Sequence, residues 1–467
     1  MSSPLKNELT PLIPPSTSSS SKTPSPRLSD PNSPRGPYLP SPVGASPTTN
    51  AQLAPSTSNV TVAPYPNNVD VDTASKVLVY DVSIFNPQDS TPLIFHDDDP
   101  LTMLWKDFWI LVRNFPTIGL ILWPIPKPAV DITFNGIFLQ IFLVIVSILL
   151  TVLCLVSFFV GIPSPVIASL ALATWLYGYN FILGKNRITY QNIPGEDKDD
   201  KEVWLLVNGI GTSKSGLQLI LDTLYKQFGR RVIGVHNRTF GIWFDFVECM
   251  LQRDLLWNTT DTREGYNIIS RHVADPTKEK IVLMAHSQGG IIMSSWADQL
   301  LSDFSHEQLK KVEIYTFASA ANHFSIPETD TGPAFGCVEH FVNELDYVSD
   351  IGLLSFAPPA PAGLRPNAPI VPKLSGRFAG RIFKRLSTTG HLLVTHYLPE
   401  GNSILHDPAV LQHSHLATYL LNYEDLKTKE AARVSRLQAE KQAREAAQAA
   451  AAQARLQVPG AGLSTRV

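Results

Sequence analysis

The stretch Lys280-Ile-Val-Leu-Met-Ala-His-Ser-Gln-Gly-Gly-Ile-Ile-Met-Ser-Ser295 decides how this chain is read. Its unbroken apolar run, residues 281–284, predicts a buried parallel strand, and residues 290–303 carry helical spacing through Ile291, Ile292, Trp296 and Leu300. Ser287 stands at the junction. A serine hydroxyl is a weak nucleophile near neutral pH, so it needs a neighbouring base and a sharp strand-to-helix turn that presents its oxygen. Such a turn crowds the positions two before and two after the serine, and here they are the small residues Ala285 and Gly289. The segment therefore reads as a hydrolase nucleophile elbow rather than as a serine that merely caps a helix.

In this class the nucleophile is followed along the chain by an acid and then a histidine. Residues 338–343 predict a strand, and Asp346 falls just past its end, with Asp350 four residues on as the alternative acid. Gly390-His391 follows the last predicted strand and a Ser-Thr-Thr turn, so His391 on a loop is the expected base. His396 beside Tyr397, on the next helix, is the alternative. An oxyanion hole needs the N–H after the nucleophile, that of Gln288, and one from the loop after an early strand. Leu205-Leu-Val-Asn-Gly-Ile-Gly211 offers Gly209 or Ile210. His236-Asn237-Arg238-Thr239 follows another strand and reads either as pocket rim or as a structural loop.

Around these motifs, strands are expected at 203–207, 231–235, 280–284, 312–317, 338–343 and 377–383, alternating with helical patterns. That rhythm predicts an α/β catalytic domain over residues 186–423, a mostly parallel sheet with helices on both faces. Ahead of it, 134–160 and the stretch from 166 to about 184 carry no charge, and Gly161-Ile-Pro-Ser-Pro165 joins them. A hydrocarbon core about 30 Å thick takes roughly 20 helical residues, so 131–185 reads as a membrane-embedded helical hairpin, either spanning or dipping into one leaflet. Lys127, Lys185 and Arg187 flank it while the turn has no cation, which favours both ends in the cytosol. Within the membrane-proximal segment 76–130, residues 101–123 mix Trp105, Phe108, Trp109 and Phe115 with Lys106, Asp107 and Arg113. They suit a helix at a bilayer interface or one packed on the globular domain.

Residues 1–75 are dominated by Ser, Pro, Thr and Asn and are expected to be disordered, with proline-directed phosphorylation candidates at Thr23, Ser25, Ser33, Ser41 and Ser46. The first residues lack a signal-peptide run. Residues 424–457, rich in Ala, Glu, Lys, Arg and Gln, predict a solvated helix within a C-terminal region 424–467, and this helix or the N-terminal tail is where a protein partner would bind. A net charge of -3 with no dense basic block sets nucleic acid aside. Cys154, Cys249 and Cys337 lie far apart, which argues against a disulfide framework and a zinc site and for a reducing environment. No metal or cofactor is expected.

The motifs Leu206-Val-Asn-Gly209, Ala285-His-Ser-Gln-Gly-Gly290, Tyr315-Thr-Phe-Ala-Ser-Ala320, Asn343-Glu-Leu-Asp-Tyr-Val348 and Gly390-His-Leu-Leu-Val-Thr-His-Tyr397 resemble those of α/β-hydrolase lipases. The resemblance is to the class 3 lipase-like and DUF676-type proteins of fungi, over about residues 203–398. It implies an α/β-hydrolase fold and, through the Asn-x-x-Asp-x-Val pattern, Asp346 as the acid. The chain departs from the family at Ala285, where Gly is usual, at Ala320, where Pro is usual, and in its histidine motif. The expected function is a membrane-anchored serine hydrolase of the endoplasmic reticulum or lipid droplet, its catalytic domain cytosolic. It would cleave a carboxylic ester or acyl lipid through an acyl-enzyme. A catalytically silent membrane scaffold and an acyltransferase with the same triad are the alternatives.

Overall fold

The computed structural model describes residues 75–83, 99–125, 134–161, 164–183, 188–190, 201–329, 332–366, 368–370 and 373–456. The Ser/Pro-rich tail before Ser75 with its phosphorylation candidates, and Lys127, Lys185 and Arg187, lie outside these residues.

Eleven strands form among them: β1 Val77–Ser83, β2 Ile188–Tyr190, β3 Glu202–Val207, β4 Val232–Val235, β5 Lys280–His286, β6 Val312–Phe317, β7 Glu328–Thr329, β8 Gly332–Pro333, β9 Cys337–Leu345, β10 Leu374–Ser375 and β11 Gly380–Thr389. Nine of them make one sheet in the order β10-β1-β11-β9-β6-β5-β3-β4-β2, and β7 and β8 form a separate small hairpin. From β4 across to β11 every neighbouring pair runs parallel, while β2 and β1 pair antiparallel toward the two edges. A parallel run flanked by helices, with the elbow after its central strand β5, fits the α/β-hydrolase arrangement.

Seven helices matter below: α1 Pro100–Asn114, α2 Phe134–Val160, α3 Ser164–Leu183, α4 Lys214–Phe228, α5 Ile242–Leu255, α6 Thr260–Ala274 and α7 Gln288–Asp303. Strand side chains alternate between faces, and the core divides accordingly. Leu205, Val207, Leu283 and Ala285 pack with Ile269 of α6 and Ile292 and Trp296 of α7, whereas Trp204, Leu206, Val282 and Met284 pack with Leu217, Leu221 and Phe228 of α4. Because both faces are covered, the strands read as continuous apolar runs rather than alternating ones.

The structure differs from the sequence reading in three places. Val77–Ser83, which sequence assigns to a membrane-proximal segment, is almost wholly buried and lies in the same sheet as the elbow, paired to β11 along Val77–Val82. Ser75, the last residue of the expected tail, is buried and donates its hydroxyl hydrogen to Asp407. The last expected strand, 377–383, runs instead from Gly380 to Thr389, and the Ser-Thr-Thr turn is an irregularity inside it. The register slips between Arg385 and Thr389, and Ser387 takes a φ of 50°.

Helices α2 and α3 pack against each other, with the Phe142 and Trp175 rings 6.0 Å apart. Among the described residues one helix is long and apolar enough to cross a membrane, the 24 residues Ile137–Val160 of α2. Its first turns are held by the globular domain: Leu143 is buried, and Gln140 Nε2 donates to Gly211 O at 3.1 Å and to Thr239 Oγ1 at 2.9 Å. The final helix, Tyr423–Leu456, starts with Tyr423 and Leu426 on the core and then runs mostly exposed.

Candidate active site

Ser287 sits between β5 and α7 with φ 60° and ψ -124°, a backbone conformation that costs an ordinary residue about 1–3 kcal/mol. The surroundings hold it there. Its N–H donates to Phe317 O at 3.0 Å, and its carbonyl accepts from Gly290 N at 2.9 Å and Ala320 N at 3.1 Å. The turn is tight against β3, since a Cβ on Gly289 would lie 2.4 Å from Val207 O.

The loop after β3 passes close to the hydroxyl. A Cβ on Gly209 would lie 2.4 Å from Ser287 Cβ and 2.8 Å from Ser287 Oγ, so only glycine lets this backbone pass. Among the described residues the N–H groups of Gly209, Ile210 and Gln288 donate to no acceptor. The loop is fixed from behind, where Asn208 Nδ2 donates to Asn237 O and Asn237 N donates to Asn208 Oδ1, both at 3.0 Å. Asn237 Nδ2 also donates to Gln288 Oε1, and Gln288 Nε2 to Gln252 Oε1 at 2.9 Å. His236, Asn237, Arg238 and Thr239 are all buried, and of the two readings of this segment the structural loop fits that better than the pocket rim. His236 Nε2 lies 2.9 Å from Thr212 O, and Thr239 Oγ1 donates to Asp245 Oδ2 at 2.6 Å.

Asp346 and His391 are brought together. His391 Nδ1 lies 3.0 Å from Asp346 Oδ2 and 3.1 Å from Oδ1. Asp346 is fully buried at the start of the helix Tyr347–Ile351 and also accepts from Val348 N at 3.0 Å, Ser349 Oγ at 3.1 Å and Tyr397 Oη at 2.8 Å. Burial alone would raise its pKa, but the attraction of His391 and these hydrogen bonds outweigh it, and the carboxyl stays below the ordinary range. Asp350, one helical turn on, makes no bond to His391; burial and the neighbouring Asp346 charge push its pKa up to about 7.

His396 sits in the π-helical turn Leu393–Tyr397 with both ring nitrogens engaged. Its Nδ1 accepts from Leu392 N at 2.9 Å, and its Nε2 donates to Pro124 O at 2.8 Å. Between Ser287 Oγ and the His391 ring the structure forms no hydrogen bond, a looseness common before a substrate is bound. What joins the two loops is His286, whose Nε2 donates to His391 O at 2.8 Å and whose ring centre lies 4.7 Å from that of His391. Burial and the nearby His391 charge lower the His286 pKa to about 3, so it stays neutral.

Sequence reasoning missed several parts of this arrangement: His286, Tyr397, Asn343, whose Nδ2 donates to Gly390 O at 2.9 Å, and the Asn208–Asn237–Gln288 chain. Only the elbow position of His286 was visible locally. A cavity of about 340 Å³ near α5 and α6 is lined by Phe240, Trp257, Thr259 and Arg263, and neither Ser287, Asp346 nor His391 borders it.

No family model matches the chain, and no curated protein matches it. The resemblance to the fungal class 3 lipase-like and DUF676-type group therefore finds no support there. Among solved structures, a Trichoderma reesei cutinase in complex with a C11Y4 phosphonate inhibitor aligns at 17% identity and a TM-score of 0.20, over 37% of this chain and 74% of that one. A Pyrobaculum calidifontis esterase aligns at 15% identity and a TM-score of 0.23, over 42% of this chain and 78% of that one. Overlaps this slight carry no argument, and the site stands on its own geometry.

Proposed function

We propose that this chain is a serine hydrolase that cleaves a carboxylic ester, most naturally an acyl lipid, through an acyl-enzyme on Ser287. The observation that carries the reading is the convergence of three loops: the strained elbow, the Gly209 backbone against the Ser287 hydroxyl, and the buried Asp346–His391 pair beside them.

In this reading Ser287 Oγ attacks the ester carbonyl while His391 Nε2 takes its proton. The carbonyl oxygen becomes an oxyanion that accepts from Gln288 N–H and from Gly209 or Ile210 N–H, donors with no other partner to give up. Collapse expels the alcohol, which receives the proton from His391, and water then repeats the sequence to release the acid. Asp346 holds Nδ1–H in place and stabilises the imidazolium. No step calls on a metal or cofactor. Transfer to an alcohol would use the same residues, and product analysis with added alcohol separates it from hydrolysis.

Insertion of α2 and α3 into a membrane, with the catalytic domain on the cytosolic face of the endoplasmic reticulum or a lipid droplet, completes the proposal. Gln140 of α2 bonded to the oxyanion-side loop at Gly211 supports an ester presented by the same membrane. The test uses the full-length protein in vesicles with a fluorophosphonate probe and a long-chain ester. Wild type labels and turns over, while Ser287→Ala loses labelling and at least about 10⁴-fold in kcat. Equal labelling of the two proteins would overturn the reading.

A further inference from the structure

Helix α1 carries large apolar side chains on its outer side as well as its inner one, whereas a helix on a water-soluble domain turns a polar face outward. Its inner side carries Met103, Leu111 and the fully buried Asp107, which pairs with buried Arg253. Its outer side carries Trp105, 61% exposed, with Phe108, Trp109 and Val112. Trp105, Phe108 and Trp109 pack on one another with ring centres 5.6–5.7 Å apart, Trp105 stacked on Phe108 and Trp109 edge-on to both. The 3-10 turns Phe115–Leu122 continue the apolar face through Ile118 and Leu122 to Trp123, 58% exposed, and Ile125.

The inner side of the same segment touches the candidate catalytic loops. Ile121 O accepts from His391 N at 3.0 Å, Trp123 O accepts from Thr389 Oγ1 at 2.9 Å, and Pro124 O accepts from His396 Nε2 at 2.8 Å. Arg253, paired to Asp107, donates through Nη1 to Ile351 O at 2.8 Å, at the end of the short helix that Asp346 begins.

We propose that residues 100–125 are a lipid-facing seat. Their aromatic face enters the headgroup–acyl boundary of a membrane, and their inner backbone thereby holds the His391 loop in register with Ser287. Two observations favour lipid over a protein occupant. The seat leads, by residue 134, into α2, which is long enough to cross a bilayer and is bonded to the same domain. Its exposed large side chains include three tryptophans, with exposed Lys106 and Arg113 among them, a composition suited to the interface of an acyl layer with its headgroups. The catalytic consequence rests on the hydrolase reading; the lipid contact does not.

The test reconstitutes the full-length protein in phosphatidylcholine vesicles whose acyl chains are brominated near the headgroup and follows tryptophan emission. Wild type should be quenched, and the Trp105→Phe, Trp109→Phe, Trp123→Phe variant should lose most of the shallow-bromine component; equal quenching of both proteins overturns the seat. A wild type unquenched by shallow bromines that dimerises with concentration would assign the face to a second copy and also overturn it. In the same vesicles, Trp105→Glu with Trp109→Glu should slow fluorophosphonate labelling of Ser287 by about tenfold or more. Thr389→Val, which removes one backbone tie, should slow labelling and shift the midpoint of its pH profile. Unchanged rates and profile in both variants overturn the coupling to His391. If wild type never labels, the hydrolase reading fails, while quenching still decides the seat.

Discussion

Replacing Tyr397 by Phe tests whether the candidate acid is held as the structure holds it. The hydroxyl donates to Asp346 Oδ2 at 2.8 Å and accepts from Asn343 N at 2.9 Å, and all three residues are buried. The substitution keeps the ring and removes both bonds, together with the hydroxyl's 3.2 Å contact to Ser349 Oγ. Losing a hydrogen bond to a charged group costs about 1.5–3 kcal/mol, and a stranded buried N–H about 1–3 kcal/mol, so together about 2.5–6 kcal/mol. For a domain of this size about 2–4 °C of melting temperature accompanies each kcal/mol, which predicts a fall of roughly 5–25 °C by scanning fluorimetry. The pH dependence should move with it. The Asp346 pKa is depressed in the fold, so its stabilisation is present above the unfolded carboxyl pKa and is lost as pH falls through the folded value. With one donor gone the folded pKa rises toward the unfolded one, so the acid-side loss is smaller and is complete at a higher pH. Ester turnover should fall by about tenfold, the equivalent of about 1.4 kcal/mol in the barrier. A variant that melts within about 2 °C of wild type and turns over ester at the same rate would refute this account of Asp346.

Gly209→Ala places a Cβ 2.4 Å from Ser287 Cβ, so overpacking of about 1–3 kcal/mol and loss of fluorophosphonate labelling are expected; wild-type labelling would separate Gly209 from the hydroxyl's surroundings. Asp350→Asn should raise the melting temperature more at pH 8 than at pH 5, because a carboxyl whose pKa is raised to about 7 destabilises the fold increasingly as pH climbs from the ordinary carboxyl pKa through 7. A flat difference across that range would contradict it. Arg253→Met strands Asp107 in a buried site and should cost about 3–5 kcal/mol by thermal or denaturant unfolding.

The elbow was legible in the sequence because its constraints are local: a strand, two small residues around a serine, and a helix. The central strands were legible for the same reason, as unbroken apolar runs in a doubly covered sheet. Strand β1 was not, because its partner lies far along the chain, as the Arg381–Asp81 contact at a separation of 300 residues illustrates. Asp346 and His391 were preferred over Asp350 and His396 by order and loop position, and the distances add that these two are the pair that meets. Locally only a loop-against-helix position separates His391, whose Nδ1 faces Asp346, from His396, whose nitrogens serve Leu392 and Pro124. The segment 101–123 read equally as interfacial or as packed on the domain, and the structure shows why: Asp107 turns inward to Arg253 while the tryptophans turn outward.

The sheet places a parity condition on everything between its first two strands. Residues 77–83 and 188–190 belong to the same nine-stranded sheet, near opposite edges, so the chain that leaves after Ser83 must return to the same compartment before Ile188. Whatever path the intervening residues take through a bilayer, they cross it an even number of times, zero included. A single crossing there would pull the sheet apart, so a reporter fused ahead of β1 and one fused after the last helix must report the same side of any membrane.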